Sequence, residues 1–190
     1  NWLKWDEMEA DLERRRAAGE MVGSGIGVFV EESGKGPSDG ARISVDENGD
    51  IEILTGGASL GQGFETTMAQ ICANALGVDY QRITVIHGQT NLIPYGIGAH
   101  AARATVMTGS AVNVTALTLR TKALDLAAEM LQLPADSLDI VDGTVIVTDK
   151  SSGPSITLAE IARRNEEGLA AEDFHKTKES AFPYGIHFAV

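Results

Sequence analysis

Apolar and polar residues alternate at two different periods along this chain, and the changes of period mark out its elements. Residues 2–17 carry Trp5, Met8 and Leu12 on one face and a charged end from Glu13 to Arg16, which predicts an amphipathic helix stopped near Gly19. Val28, Phe29 and Val30 favour a strand, with Gly23, Gly25 and Gly27 relieving it for close passage by another backbone. A turn-rich loop follows from Gly34 to Gly40. Ile43 and Val45, then Ile51 and Ile53, repeat every second residue around Asn48-Gly49, the pattern of a hairpin. From Phe64 the period lengthens: Phe64, Met68, Cys72, Ala75 and Leu76 share a helical face, and Gly77 is placed to end it. Ile83 and Val85 mark a short strand over 82–87. A long helix is predicted from about Ala104 to Leu131, with Val112, Ala116, Leu119, Ala123, Leu126, Ala127 and Met130 as its stripe and Pro134 beyond its end. Leu138 to Val147 reads as a second hairpin about Asp142-Gly143, Ser155 to Arg163 as a short helix, 164–180 as charged loop, and Tyr184 to Val190 as a last strand.

These elements predict an α+β (mixed α/β) fold: hairpins and short strands around one long buried helix. We expect one unit over 1–190, with its N-terminal helix at about 2–17, a core at about 21–163 and a closing strand at about 184–190. The chain opens on Asn1 rather than methionine and its last strand stops on an apolar residue. A piece of a longer protein is the expectation.

Two stretches interrupt the regular patterns, and both run into helices. Thr55 to Gly63 carries Gly56, Gly57, Gly61 and Gly63; residues 88–104 carry Pro94, Gly96 and Gly98. Glycines let backbone N–H groups approach a ligand, and the first N–H groups of a helix have no internal partner. Such a junction suits an anion, and Gln62 adds an amide at its lip. A plain strand-to-helix connection is the other reading of the first loop. His100 and Arg103 stand just before the second helix, where an arginine is able to grip phosphate with two nitrogens or to lie on the surface. Glu65 is a first-turn acid or a catalytic carboxylate.

Composition narrows the chemistry. With 15 Lys and Arg against 27 Asp and Glu, the net charge of −12 argues against nucleic acid or an anionic membrane as partner. The 43% hydrophobic content supplies a core. The single cysteine fits a reducing, cytoplasmic compartment and excludes an internal disulfide. No lysine and Ser/Thr pair follows either glycine loop, so neither is a P-loop. The glycines at 23–27 precede a strand rather than open a helix, which is the wrong order for a dinucleotide fingerprint. His87, His100, His175 and His187 lack metal-ligand spacing, and no metal site is expected.

The runs GIGVFVEESGKGP, TGGASLGQGFETTMAQICANALGVD, ITVIHGQT followed by PYGIGAHAARATVMTGSAV, and the closing FPYGIHFAV resemble, in order, the large subunits of the molybdenum hydroxylases. These are the xanthine dehydrogenases, aldehyde oxidases and aerobic carbon monoxide dehydrogenases. The resemblance implies part of the second molybdopterin-binding region of an oxidoreductase that hydroxylates aldehydes, N-heterocycles or CO with water-derived oxygen. It implies that Gly61, Gln62 and Gly63 contact the pterin, and that Gly98, Ala102, Arg103 and Ala104 belong to the family's later cofactor-lining GTxxSRS segment. Two family serines are alanines here, Ala102 and Ala104, and the common HGDT is His87-Gly88-Gln89-Thr90. By the same resemblance the cofactor is molybdopterin, in a dinucleotide form, with iron–sulfur clusters and FAD on other domains or subunits. The partners are the remaining molybdopterin segments, the iron–sulfur and flavin subunits and a small-molecule substrate. The family's catalytic glutamate lies outside this chain, so neither Glu65 nor Glu179 takes that role and the segment alone is expected to be inactive. A non-catalytic module for a phosphate-bearing ligand, or a degenerate homologue, are the competing readings.

Overall fold

The computed structural model describes residues 4–93, 95–148 and 153–190. It divides into two units, 33–181 and a smaller one made of 1–32 with 182–190. Trp2 and Leu3 of the expected first helix, and Pro94 of the second loop, lie outside the described residues.

The larger unit is a four-stranded sheet backed by two helices. β2 (Ser38–Val45) and β3 (Ile51–Thr55) form the expected hairpin, with Val45 opposite Ile51 and Ala41 opposite Thr55. The Asp46 side chain organises the turn by accepting from the amides of Asn48 and Asp50. Asp39, Ala41, Ile43 and Val45 point inward from β2, and Ile51, Ile53 and Thr55 from β3. Their apolar members meet α2 (Phe64–Leu76) and α3 (Gly109–Leu131) in one core. All five residues expected on the α2 stripe are buried, and Cys72 sits there with its thiol pushed up to about 12 by burial. Gly77 ends α2 at φ 82.

β4 (Ile83–Ile86) lies parallel to β3, with Leu54 beside Ile86. The two strands are joined through α2, so both end at the same edge of the sheet. In sheets of parallel strands, loops at the carboxyl edge are where ligands gather. The two glycine stretches leave from these two adjacent strand ends.

Three expectations change. Residues 164–180 are not a charged loop: Leu169–Lys176 is an eight-residue strand, β8, antiparallel to β2 along its whole length. Its inward positions after Leu169 are Ala171, Asp173 and His175, too small or too polar to show apolar alternation. The sheet order is therefore β4-β3-β2-β8. The short helix α4 runs Leu158–Arg164, not from Ser155, because Thr157 and Glu160 form a reciprocal capping box there. Ile156–Thr157 is instead β7, added to the second hairpin, β5 (Leu138–Val141) and β6 (Thr144–Val147). The long helix begins with a π-turn over Ala104–Thr108 before α3 proper.

The smaller unit holds α1 (Trp5–Ala17) and a ribbon of β1 (Gly25–Val30) and β9 (Tyr184–Ala189). β1 pairs with β9 over six residues, but the close passage expected at its glycines is absent, since a Cβ on Gly23, Gly25 or Gly27 would meet nothing within 4 Å. Trp5 packs on Phe188, with ring centroids 5.3 Å apart.

Candidate functional site

The first loop leaves β3 at Thr55 and reaches α2 at Phe64. Gly61 and Gly63 adopt φ +90 and +75, and a Cβ on either would meet nothing within 4 Å. Their bare backbone therefore faces open space, as a ligand cradle requires. Gln62 is exposed, but its amide turns back on its own loop. Its oxygen accepts from the Leu60 amide and its nitrogen donates to the Ala58 carbonyl at 3.0 Å. The side chain thus sets the loop's shape and keeps one donor hydrogen for a ligand.

Glu65 occupies the start of α2. Its carboxylate accepts from the Ser59 hydroxyl at 2.9 Å and lies 3.0 Å from His87 Nε2. Its own backbone N–H, then His87, then Ser59 hold its pKa below the ordinary 4.5. An ionised acid already answers the positive end of the helix. The open donors of this loop are therefore those around Gly61 to Gly63, more than the helix terminus itself. His87 stands at the exit of β4 and packs edge-on against Phe64, with centroids 5.4 Å apart. Glu65 and His87 so tie the first loop to the beginning of the second.

The two loops also cross. A Cβ on Gly56 would stand 2.1 Å from the Tyr95 carbonyl oxygen, and one on Gly96 2.5 Å from Gly56 Cα. The approach is backbone on backbone. Phe64 fills the neighbouring space, where a Cβ on Gly57 would lie 2.3 Å from its ring.

In the second loop Gly98 sits at φ +75 with open space beyond it, and Ala102 is exposed. Ala101 and Ala102 are both left-handed, at φ 45 and 52. Arg103 is neither a surface arginine nor a forked grip for a ligand. Its side chain is 0% exposed and points inward. It pairs with the equally buried Asp39 at 3.1 Å and donates to the carbonyls of Lys35, Gly98 and Ser38. The loop presents Ala102 and open backbone at Gly98 outward, whereas Ala104 is half-buried and packs against the core at the start of the π-turn. His100 is exposed beside it.

Asp39 lies inside a turn-rich stretch of the sequence. Extending the period-2 alternation of Val45, Ile43 and Ala41 back by one step reaches it. Among the described residues no group of three or more His, Cys, Asp or Glu is arranged to hold a metal ion. No helix there is long and apolar enough to cross a membrane.

The whole chain, residues 1–190, matches the family model of a molybdopterin cofactor-binding domain. It is 36% identical over 196 residues to the gamma subunit of the 6-hydroxypseudooxynicotine dehydrogenase complex of Paenarthrobacter nicotinovorans, covering 98% of this chain and 24% of that one. It is 31% identical over 202 residues to the carbon monoxide dehydrogenase large chain of Afipia carboxidovorans, covering 93% and 24%. Among solved structures, quinoline 2-oxidoreductase from Pseudomonas putida 86 superposes with a TM-score of 0.78 at 27% identity, over 98% of this chain and 26% of that one. The chain thus spans about a quarter of the length of these relatives. Two open glycine loops at one sheet edge, and a match over every residue, lead to one conclusion: the chain belongs to the molybdopterin cofactor-binding domain family of the molybdenum hydroxylases.

Proposed function

We propose that this chain supplies part of the cofactor site of a molybdenum hydroxylase and binds a molybdopterin dinucleotide through its two glycine loops. The observation that carries this reading is the Gly56–Gly96 crossing, which makes one site of loops leaving adjacent parallel strands. The residues fit the group: Gly61, Gly63 and Gly98 offer unobstructed backbone for phosphate and pterin heteroatoms. Gln62 holds the first loop in shape and offers its remaining amide hydrogen. Ala102 and Ala104 contribute backbone and leave out the family's hydroxyl contacts. Arg103 acts from below, as the anchor of the second loop.

When bound, the cofactor supplies the oxygen-transfer and electron-accepting chemistry. The segment binds and orients it and contributes no proton-transferring group. Iron–sulfur clusters and FAD on partner subunits would accept the electrons; one relative is named as a subunit of a complex. The relatives named for 6-hydroxypseudooxynicotine and nicotine, at 36% and 33% identity, make an N-heterocycle the first substrate class to try, with carbon monoxide next at 31–32%. A cytoplasmic complex is the expected setting.

The test is to purify the parent complex and measure molybdenum, iron and flavin, then turnover on N-heterocycles, aldehydes and carbon monoxide. Gln62→Ala in that complex lowers bound molybdenum while the fold is kept. Wild-type molybdenum in this variant would remove Gln62 from the site. A parent without molybdenum or pterin would favour the phosphate-ligand module instead.

A further inference from the structure

We infer that Asp39 and Thr108 are positioning residues that, with Arg103, form a buried latch holding the Gly98–Ala104 backbone in its ligand-facing shape. That this shape meets a molybdopterin rests on the function proposed above; the latch itself does not.

Asp39 is the one acid on the core face of β2, and its side chain is 0% exposed. A buried carboxylate is costly unless fully matched. Here Oδ2 takes both Arg103 Nη1, at 3.1 Å, and the hydroxyl of Thr108, while Oδ1 accepts from the Gly40 amide at 3.0 Å. Arg103 then spreads its remaining hydrogen bonds over two segments. Lys35 and Ser38 receive Nε and Nη2 at 3.1 Å each, and Gly98 receives Nη1 at 3.0 Å. The last bond closes the loop on itself, because Gly98 stands five residues before Arg103. Gly34 adds a clasp by donating its amide to the Ala101 carbonyl at 2.9 Å.

The segment so held is strained. Two successive alanines sit in the left-handed region, which side chains with a Cβ resist, and such strain persists only where the surroundings enforce it. Thr108 closes the π-turn that follows. One carboxylate oxygen therefore grips the chain at both ends of an irregular stretch, Arg103 before the turn and Thr108 at its close. Irregular turns of this kind cluster at functional sites. An apolar pair of the same volume would pack as well. What the ionic latch adds is direction, fixing which way the 98–104 backbone faces.

The test uses the parent subunit, first purified without cofactor, with amide hydrogen exchange as the readout. Thr108→Val removes one bond of the latch and keeps the ion pair. It is expected to raise exchange of the two amides that report on the segment, Arg103 N–H donating to His100 and Gly34 N–H donating to Ala101, by about tenfold, with α3 unchanged. Thr108→Ser restores the wild-type rate. Thr115→Val is the matched control, since Thr115 is also fully buried on α3 and donates to Ala41 and Ala111 outside the latch. Asp39→Asn exceeds Thr108→Val if it folds, and Thr108→Val decides the matter if it does not. Wild-type exchange in Thr108→Val, or an equal rise in Thr115→Val, overturns the latch. In the loaded complex the molybdenum content of Thr108→Val falls alongside. A wild-type complex without molybdenum would sink the proposed function and leave the exchange result standing.

Discussion

Gly56 and Gly96 touch through bare backbone, so that a Cβ on either would lie within 2.5 Å of the other residue's atoms. Neither needs a left-handed φ; the contact alone demands glycine. Gly61 is the opposite case, with φ +90 and open space around it. Gly56→Ala and Gly96→Ala are expected to push the loops apart and cost about 3 kcal/mol or more, as overpacking does. Gly61→Ala meets only conformational strain and costs about 1–2 kcal/mol. Denaturant midpoints of the three variants check this, and equal losses would show that the crossing is not what fixes the loops.

Arg103 is a fold residue before it is anything else. Arg103→Ala leaves Asp39 charged in the core, a loss of about 3–5 kcal/mol. Removing Asp39 as well takes away the stranded charge. The double variant should fall short of the summed single losses by more than about 1 kcal/mol. Strict additivity in that cycle would mean that the two groups do not support one another.

Ala102 carries strain that glycine would release. At φ 52 its methyl group opposes the backbone it sits on. Ala102→Gly regains about 1 kcal/mol of that strain and returns part of it through the greater freedom of the unfolded chain. A small rise in thermal midpoint is the expected result. A fall would indicate that the methyl makes a contact worth more than the strain.

Glu65 makes stability depend on pH in one direction. Its pKa is lowered in the fold by its own N–H, His87 and Ser59. A depressed carboxylate stabilises above its unfolded value and loses that contribution as pH falls through the folded one. The window therefore opens near the ordinary 4.5 and extends downward. Glu65→Gln should lower stability at neutral pH, where the contribution is fully present, and converge with the wild type in acid, so that the acid limb of the stability curve flattens. Chemical denaturation between about pH 3 and pH 6 measures it.

What was legible in the sequence is what local periodicity encodes. Ile43, Val45, Ile51 and Ile53 announce their hairpin, Phe64 to Leu76 their helix, and Asp142-Gly143 its tight turn, because each pattern repeats within a few residues. β8 was missed because an edge strand packing through Ala171, Asp173 and His175 shows no apolar rhythm. The order of motifs pointed to the family to which the chain belongs. It misjudged side chains whose partners are distant: Arg103 looked like a phosphate grip because Asp39 lies 64 residues away. The parallel pairing of β3 with β4, which brings both loops to one edge, likewise depends on a contact that no local window contains.

The β1–β9 ribbon has a bearing on the order in which the chain folds. Its strands pair Gly25 with Ala189 and Val30 with Tyr184, and the whole unit 33–181 lies between them in sequence. Closing so long a loop is slow when the intervening chain is unstructured. Once 33–181 has folded, its own bond between Ser33 and Ala181 brings the feet of the two strands together. The ribbon is then a short hairpin-like closure, made last and undone first. β1 cannot pair with β9 until residues 184–189 have been made.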